Sequence, residues 1–352
     1  MPWLIPVLLI FFSSVSVHAQ VSAQSVGNDG AQYLIFDAPN SLSTQAAAIN
    51  NHGEVAGRFI DGSQNNKSRG FLRDQRGNII VFDAPNSLYT LVSQMNDRGD
   101  VAGIFGDTTQ SKIEHAFVRH RDGNFLVFDA PNASSTSISG INDDGVITGY
   151  YFTPGKVRGF VRRPDGNLKV FDAPTSGTTI PSGINKSGDI AGVYVDLAGA
   201  HGFVRSAAGN FTVIDVPNVP SAQICTISGI NKGGSVVGTF SDAPNGCAKG
   251  HEFVRLTNGE FIVFDIPNAT AGSGTMGITD RLEIAGIWED TTADHGFVRK
   301  DDGNLILFDV PNGLPREGTE VQAINDAGDV TGNTFQSTPS GNRLRAFIRT
   351  KP

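Results

Sequence analysis

Thiols, methionine, tryptophan and charge are all scarce in this sequence. Its 352 residues include 2 cysteines, 3 methionines and 2 tryptophans, and charged residues make up 18% against a usual ~25%. Few methionines and few charges argue against a helical bundle. The two cysteines form no Cys-x-x-Cys pair, and there is no Gly-x-Ser-x-Gly, no phosphate-binding Gly-rich loop ending in Lys-Ser/Thr and no His-Glu-x-x-His. Lys and Arg are outnumbered 27 to 35, for a net charge of -8. No basic footprint for nucleic acid or anionic lipid is therefore present. One apolar run stands at the start of the chain, and no second one follows.

That run, Trp3 to Phe12, is uncharged and too short to span a bilayer. Val17-His18-Ala19 then places small or apolar residues where a signal peptidase reads. Residues 1–19 are expected to be a signal peptide, with Val21-Ser22-Ala23 a later cut. The rest, a single domain over residues 28–352, is expected to be secreted, extracellular or periplasmic, without membrane insertion.

Glycine and phenylalanine are abundant, 42 and 23 residues, and both belong to a repeat. Phe-Asp-Ala-Pro-Asn recurs with small changes, its aspartates being Asp37, Asp83, Asp129, Asp172, Asp215, Asp265 and Asp309, 43 to 50 residues apart. Phe-x-Arg recurs from Phe71-Arg73 to Phe347-Arg349. An Asn followed seven residues later by Gly recurs from Asn50/Gly57 to Asn325/Gly332, with Thr279/Gly286 in the sixth copy. Each signature occurs seven times.

Within a unit the pattern is strand-like throughout. In residues 93–131, Ser93-Gln94-Met95-Asn96, Asp100 to Phe105, His115 to Arg119 and Phe125 to Asp129 read as four strands. Asp122-Gly123 reads as a two-residue hairpin turn, which sets Arg119 opposite Leu126, Phe117 opposite Phe128 and Ala116 opposite Asp129. The fold class is all-β: a seven-bladed β-propeller of four-stranded antiparallel blades. The last unit lacks a fourth strand, and Asn28 to Asp37 has the fourth-strand pattern. The N-terminal strand is expected to complete the last blade and close the ring, which makes a second domain unnecessary.

These residues resemble the bacterial extracellular HAF-type repeat proteins. Ile141-Asn142-Asp143-Asp144-Gly145 and Val101-Ala102-Gly103 fit their Ile-Asn-x-x-Gly turn and Val-x-Gly strand, and His115-Ala116-Phe117 spells the namesake triplet. Other units read His-Gly-Phe, His-Glu-Phe, Arg-Gly-Phe or Arg-Ala-Phe, and Val-Arg follows where the family has Leu-Trp. The resemblance implies an exported repeat architecture and names no activity.

Seven copies of an Arg or Asp are scaffold rather than a catalytic centre, because an enzyme needs one site. No catalytic residue, metal site or cofactor is assigned. Small residues opposite the repeated aspartate are read as room for its carboxylate, bonded to the following turn. The residue before the third-strand pair is always basic: Arg69, His115, Arg158, His201, His251, His295 or Arg345. All four histidine units carry an aspartate four residues past the second-strand glycine: Asp107, Asp196, Asp242 and Asp290. Each Asp–His pair is read as a hydrogen bond that fixes the loop; the alternative is a ring of pairs that binds metal or an anionic ligand.

Singular features are few. Cys225 and Cys247, 22 apart, are expected to form a disulfide. Trp288 is expected in the core. Glu252, Glu283 and Glu289 are isolated acids with no visible partner. Leu282 stands where six units have glycine, and its turn is expected to differ. The second-to-third and fourth-to-first connections are long and variable and emerge on one face. The reading is a monomeric binding module for an extracellular glycan or protein on that face. The alternatives are a propeller enzyme of polysaccharide lyase or hydrolase type, and a structural envelope protein.

Overall fold

The computed structural model describes residues 16–18, 20–107, 114–174, 177–217, 219, 223–242, 247, 250–270, 272–311, 318–338 and 341–351. The apolar core of the expected signal and its cut at Ala19 lie outside them. Every regular element among the described residues is a β-strand. No helix among them is long and apolar enough to cross a membrane.

Unit two shows the pattern. Its strands are Ser87–Met95, Val101–Asp107, Glu114–Arg119 and Phe125–Phe128, each antiparallel to the next. Proline ends the fourth strand. In Ala130-Pro131-Asn132, Asn132 has φ 57° and the Ala133 N–H returns to the Ala130 carbonyl, the pattern of a type II turn. The buried Thr136 hydroxyl accepts the Ala130 N–H at 3.0 Å, so the next unit's first strand anchors the turn. Thr44, Thr90, Thr179 and Thr319 repeat this bond.

The expected uniform four-stranded sheets appear as such in units five and six. Units two to four merge into one twelve-stranded sheet through single parallel bridges, Glu114 with Ser135 and Val157 with Thr178. Among the described residues no sheet closes on itself by strand pairing. In unit seven, Gln32–Asp37 pairs antiparallel with Gly341–Thr350, Gln32 opposite Thr350 and Phe36 opposite Ala346. Gln20–Val26 adds a fifth strand beyond it, so paired structure begins before residue 28. Ser16–His18 lies on the outer edge of Asn78–Phe82 in unit one. Outer strands offer unpaired N–H and C=O groups, which an adjacent extended segment satisfies.

The third-to-fourth hairpin corrects the sequence-based register by one residue. Phe117 faces Val127, Ala116 faces Phe128 and Arg119 faces Phe125. The His120 N–H bonds the Asn124 carbonyl and Gly123 alone takes a positive φ, 94°. The loop therefore has three residues, Arg121-Asp122-Gly123, and not two. In strands a slip of one exchanges the two faces. The small residue of the third strand makes room for the fourth-strand Phe, not for the aspartate. A Cβ on Gly70, Gly159 or Gly296 would run into the ring of Phe82, Phe171 or Phe308.

That ring packs on the next unit rather than on its own third-strand Phe. Phe128 meets Phe160 edge-on at 6.0 Å, and Phe36–Phe71, Phe82–Phe117, Phe171–Phe203 and Phe264–Phe297 follow. The third-strand Phe is fully buried in all seven units. The Arg of Phe-x-Arg lies over the preceding unit's ring, Arg162 over Phe128 at 4.9 Å and Arg205 over Phe171 at 4.7 Å. Its guanidinium also donates to the carbonyl at the start of its own hairpin. One aromatic–cation layer thus joins successive units.

The second-strand glycine answers to a β-bulge. In unit two the first strand shifts register between Val92 and Gln94, and a Cβ on Gly103 would land on the Leu91 carbonyl oxygen. A bulge sits at the same level in every unit.

Candidate functional site

Two ends of the molecule carry polar groups in ordered arrays. At the long-loop end, each predicted histidine holds two carboxylates. His115 Nδ1 lies 2.8 Å from Asp129 and Nε2 3.4 Å from Asp107; His201 lies 2.6 Å from Asp215 and 3.4 Å from Asp196. His251 is 2.6 Å from Asp265 and 3.8 Å from Asp242, and His295 is 2.8 Å from Asp309 and 3.4 Å from Asp290. The loop aspartates are where the sequence put them. The second partner, the aspartate of Phe-Asp-Ala-Pro-Asn, went unseen because the one-residue slip in register hid it. It bonds a side chain across the hairpin and not the backbone of its own turn.

The arginine units use the same seat. Arg69 bridges Asp83 and Asp61, Arg158 pairs with Asp172, and Arg345 pairs with Asp37. An Arg and a His share the position because each is a planar group whose nitrogens face two carboxylates at once. Each imidazole also packs on the second-strand aromatic ring, closest in unit six, where Trp288 stacks on His295 at 4.3 Å. The hydrogen bond that Asp265 accepts from His251 raises the pKa of His251. Burial opposes charge on His295, but bonds and charge from Asp309 and Asp290 outweigh it and raise that pKa as well. Among the described residues no group of three or more His, Cys, Asp or Glu is placed to hold a metal.

At the opposite end, the first-to-second turns of all seven units line one cavity of about 340 Å³. Each turn is braced by its asparagine, or by Thr279 in unit six: Asn142 Oδ1 accepts the Asp144 and Val146 N–H groups. Its Nδ2 donates to the next unit's Asn185 carbonyl at 3.1 Å. Asn96, Asn185, Asn231 and Asn325 make the same cross-unit bond, and that of Asn325 reaches the Asn50 carbonyl in unit one. A floor of Ile and Met side chains, Met95 and Ile141 among them, lies behind this asparagine layer. Nothing in the sequence pointed to this cavity except the repetition of the asparagine.

The singular residues fall in units five and six. Cys225 and Cys247 form a disulfide, with 5.7 Å between Cα atoms. Glu252 occupies the small-residue position opposite Phe264 and is fully buried. Glu283 is not isolated as expected: Lys300 and Lys351 reach it at 3.1 and 2.8 Å. Trp288 is buried as expected. Leu282 corrects the expectation of a different turn. It takes φ 65° and donates to Thr279, as Gly53 donates to Asn50. Its side chain packs on the core cluster of Val254, Ile284 and Phe297, which offsets the cost of that conformation.

No protein-family model matches this chain, and no curated protein matches it. Solved structures do. A streptogramin B lyase aligns with a TM-score of 0.57 at 16% identity, over 90% of this chain and 97% of its own. A catalytically inactive virginiamycin B lyase from Staphylococcus aureus with quinupristin aligns with 0.57 at 15% identity, over 91% and 99%. A prolyl endopeptidase aligns with 0.57 at 13% identity, over 94% of this chain and 54% of that one. The shared feature is the fold: this chain is all-β and β-propeller-like.

Proposed function

We propose that this chain is an exported binding module, a propeller of seven four-stranded blades whose ring is completed by Gln32–Asp37. It belongs on this reading with the HAF-type repeat proteins, and residues 1–19, or up to 23, are removed as a signal. Its ligand is an extracellular glycan or protein, held at the long-loop end. Support for the ring comes from the cavity shared by all seven units and from the bond between Asn325 and the Asn50 carbonyl. The Cys225–Cys247 disulfide fits an oxidising compartment.

The observation that carries the binding reading is where large apolar side chains reach solvent. Leu42, Leu88, Phe152, Val195 and Leu197 are exposed, and Leu197 is fully so at 109%. All five sit at the long-loop end, on units one to four. The repeated histidines and arginines at that end are already engaged with carboxylates of their own units. Exposed Val127, Val213 and Val263 lie on fourth strands and Val26 at the tight-turn end, so the long-loop end holds the largest group of such side chains. An apolar arc above internally satisfied clamps favours contact with a partner over chemistry.

The test is binding of the full secreted chain to purified cell-wall and capsular glycans and to extracellular proteins, with released sugar ends measured in parallel. Retention without turnover, lost in Phe152→Ser and Leu197→Ser while the melting temperature holds, is the expected result. Turnover of a polymer would replace this reading with an enzyme. Wild-type-like retention by both variants would move the surface elsewhere.

A further inference from the structure

Above the asparagine layer, the tight-turn end carries a second belt built from the residue after each asparagine. In five of its seven steps the backbone N–H of one unit donates to a side-chain oxygen of the next. The Asn51 N–H reaches Asp97 at 2.8 Å, Asp97 reaches Asp143 at 2.9 Å, and Asp280 reaches Asp326 at 2.8 Å. The last step returns from Asp326 to the Asn51 side-chain carbonyl at 2.8 Å.

The belt breaks at two adjacent steps. Lysines replace the acceptor in units four and five, so the N–H groups of Asp143 and Lys186 have no acceptor among the described residues. Underneath, the asparagine bonds from Asn142 to Asn185 and from Asn185 to Asn231 are intact. The two orphan donors are therefore held as in the other five units. Lys186 and Lys232 are exposed, line the same cavity and form no ion pair among the described residues. Two fixed N–H groups and two ammonium groups meet on one arc, where the rest of the belt places carboxylate or amide oxygens.

We propose that this arc is a binding site for a small organic carboxylate, such as the carboxyl group of a uronic acid. The ligand oxygens take the two acceptor positions that the lysines vacate, and Lys186 and Lys232 balance the charge. Acidic Asp143 and Asp280 flank the arc, which disfavours a doubly charged phosphate and suits a monoanion with hydroxyl donors. The site lies at the opposite end from the apolar arc and stands or falls independently of it.

Titration calorimetry and thermal melting of the full chain with D-glucuronate, glucose and inorganic phosphate test it. Lys186→Asp and Lys232→Asp each put back the missing acceptor. Glucuronate is expected to bind the wild type in the low-millimolar range or tighter and raise its melting temperature, and glucose to do neither. The double variant is expected to melt higher than wild type without ligand and to lose glucuronate binding at least tenfold. No binding to the wild type, equal binding to the double variant, or phosphate binding as tightly as glucuronate would each overturn the proposal.

Discussion

Glu252 lies directly opposite Phe264, in the slot that glycine or alanine fills in the other six units, with its carboxylate enclosed between units five and six. Burial pushes its pKa above the ordinary value of 4.5 and outweighs Ser273 of the next unit, which favours the charged form; Asp265 adds to the rise. A carboxyl raised on folding is neutral in both states at low pH and charged in both at high pH. Its destabilising effect is absent below the ordinary glutamate range, grows as pH rises from that value toward the folded pKa, and is complete above it. Glu252→Gln is expected to raise the melting temperature at pH 8 and to leave it nearly unchanged at pH 4. Equal shifts at both pH values would show that the charge is not the cause.

His251 and His295 act with the same sign. Their pKa values are raised on folding, so their contribution is complete below the ordinary histidine value of 6.5 and is lost as pH rises through the folded pKa. Replacing both with glutamine is expected to flatten the fall in melting temperature between pH 6 and 8. The loss of stability should be visible at pH 6 and small at pH 8. A double variant that keeps the full wild-type slope would contradict the two-carboxylate seat.

Besides the Arg345–Asp37 pair, a second buried ion pair ties the N-terminal segment to the C-terminal strand. Arg349, 1% exposed, meets Asp29 at 2.7 Å, and the Tyr33 hydroxyl donates to the same carboxylate. Burial pushes the Asp29 carboxyl up, but Arg349, the Ala31 N–H and Tyr33 outweigh it and hold it below its ordinary 3.8. Its stabilisation is present above that value and lost as pH falls below it. Asp29→Ala strands a buried guanidinium and is expected to cost about 3–5 kcal/mol in urea unfolding at pH 7.

In unit six Thr279 replaces the ladder asparagine. Its hydroxyl accepts the Glu283 N–H at 3.0 Å but offers no second donor to the Asn325 carbonyl. Thr279→Asn is expected to add that link and stabilise by about 1 kcal/mol, and Asn142→Thr to lose about as much. Opposite signs in denaturant titrations are the check. A destabilised Thr279→Asn would mean that the unit-six turn cannot accept the ladder.

Much of this architecture is legible in the sequence because each unit repeats its solution. The four strands of unit two fall within two residues of their expected ends at most boundaries; the first strand alone begins earlier, at Ser87. Pairing of Gln32–Asp37 with the last unit was also readable. Register was not, because an Asp-Gly dipeptide serves either a two-residue turn or the end of a three-residue one, and only backbone geometry distinguishes them. That single slip assigned the room beside Gly70 to an aspartate instead of Phe82 and separated His115 from Asp129. Leu282 was misjudged because local strain was visible and the tertiary packing that offsets it was not. The turn-end cavity was illegible because it exists only where seven distant turns meet.

The pairing of Gln32–Asp37 with Gly341–Thr350 also sets an order of events. Asp29 and Arg349 are 320 residues apart, so the seam between the first and last units can form only after nearly all of the chain is available. Until then Gln32–Asp37 is an edge without its neighbour, open to wrong partners and to proteases. Assembly should therefore be limited by a single late, long-range closure. Variants that weaken the seam should slow folding more than equal losses of stability elsewhere.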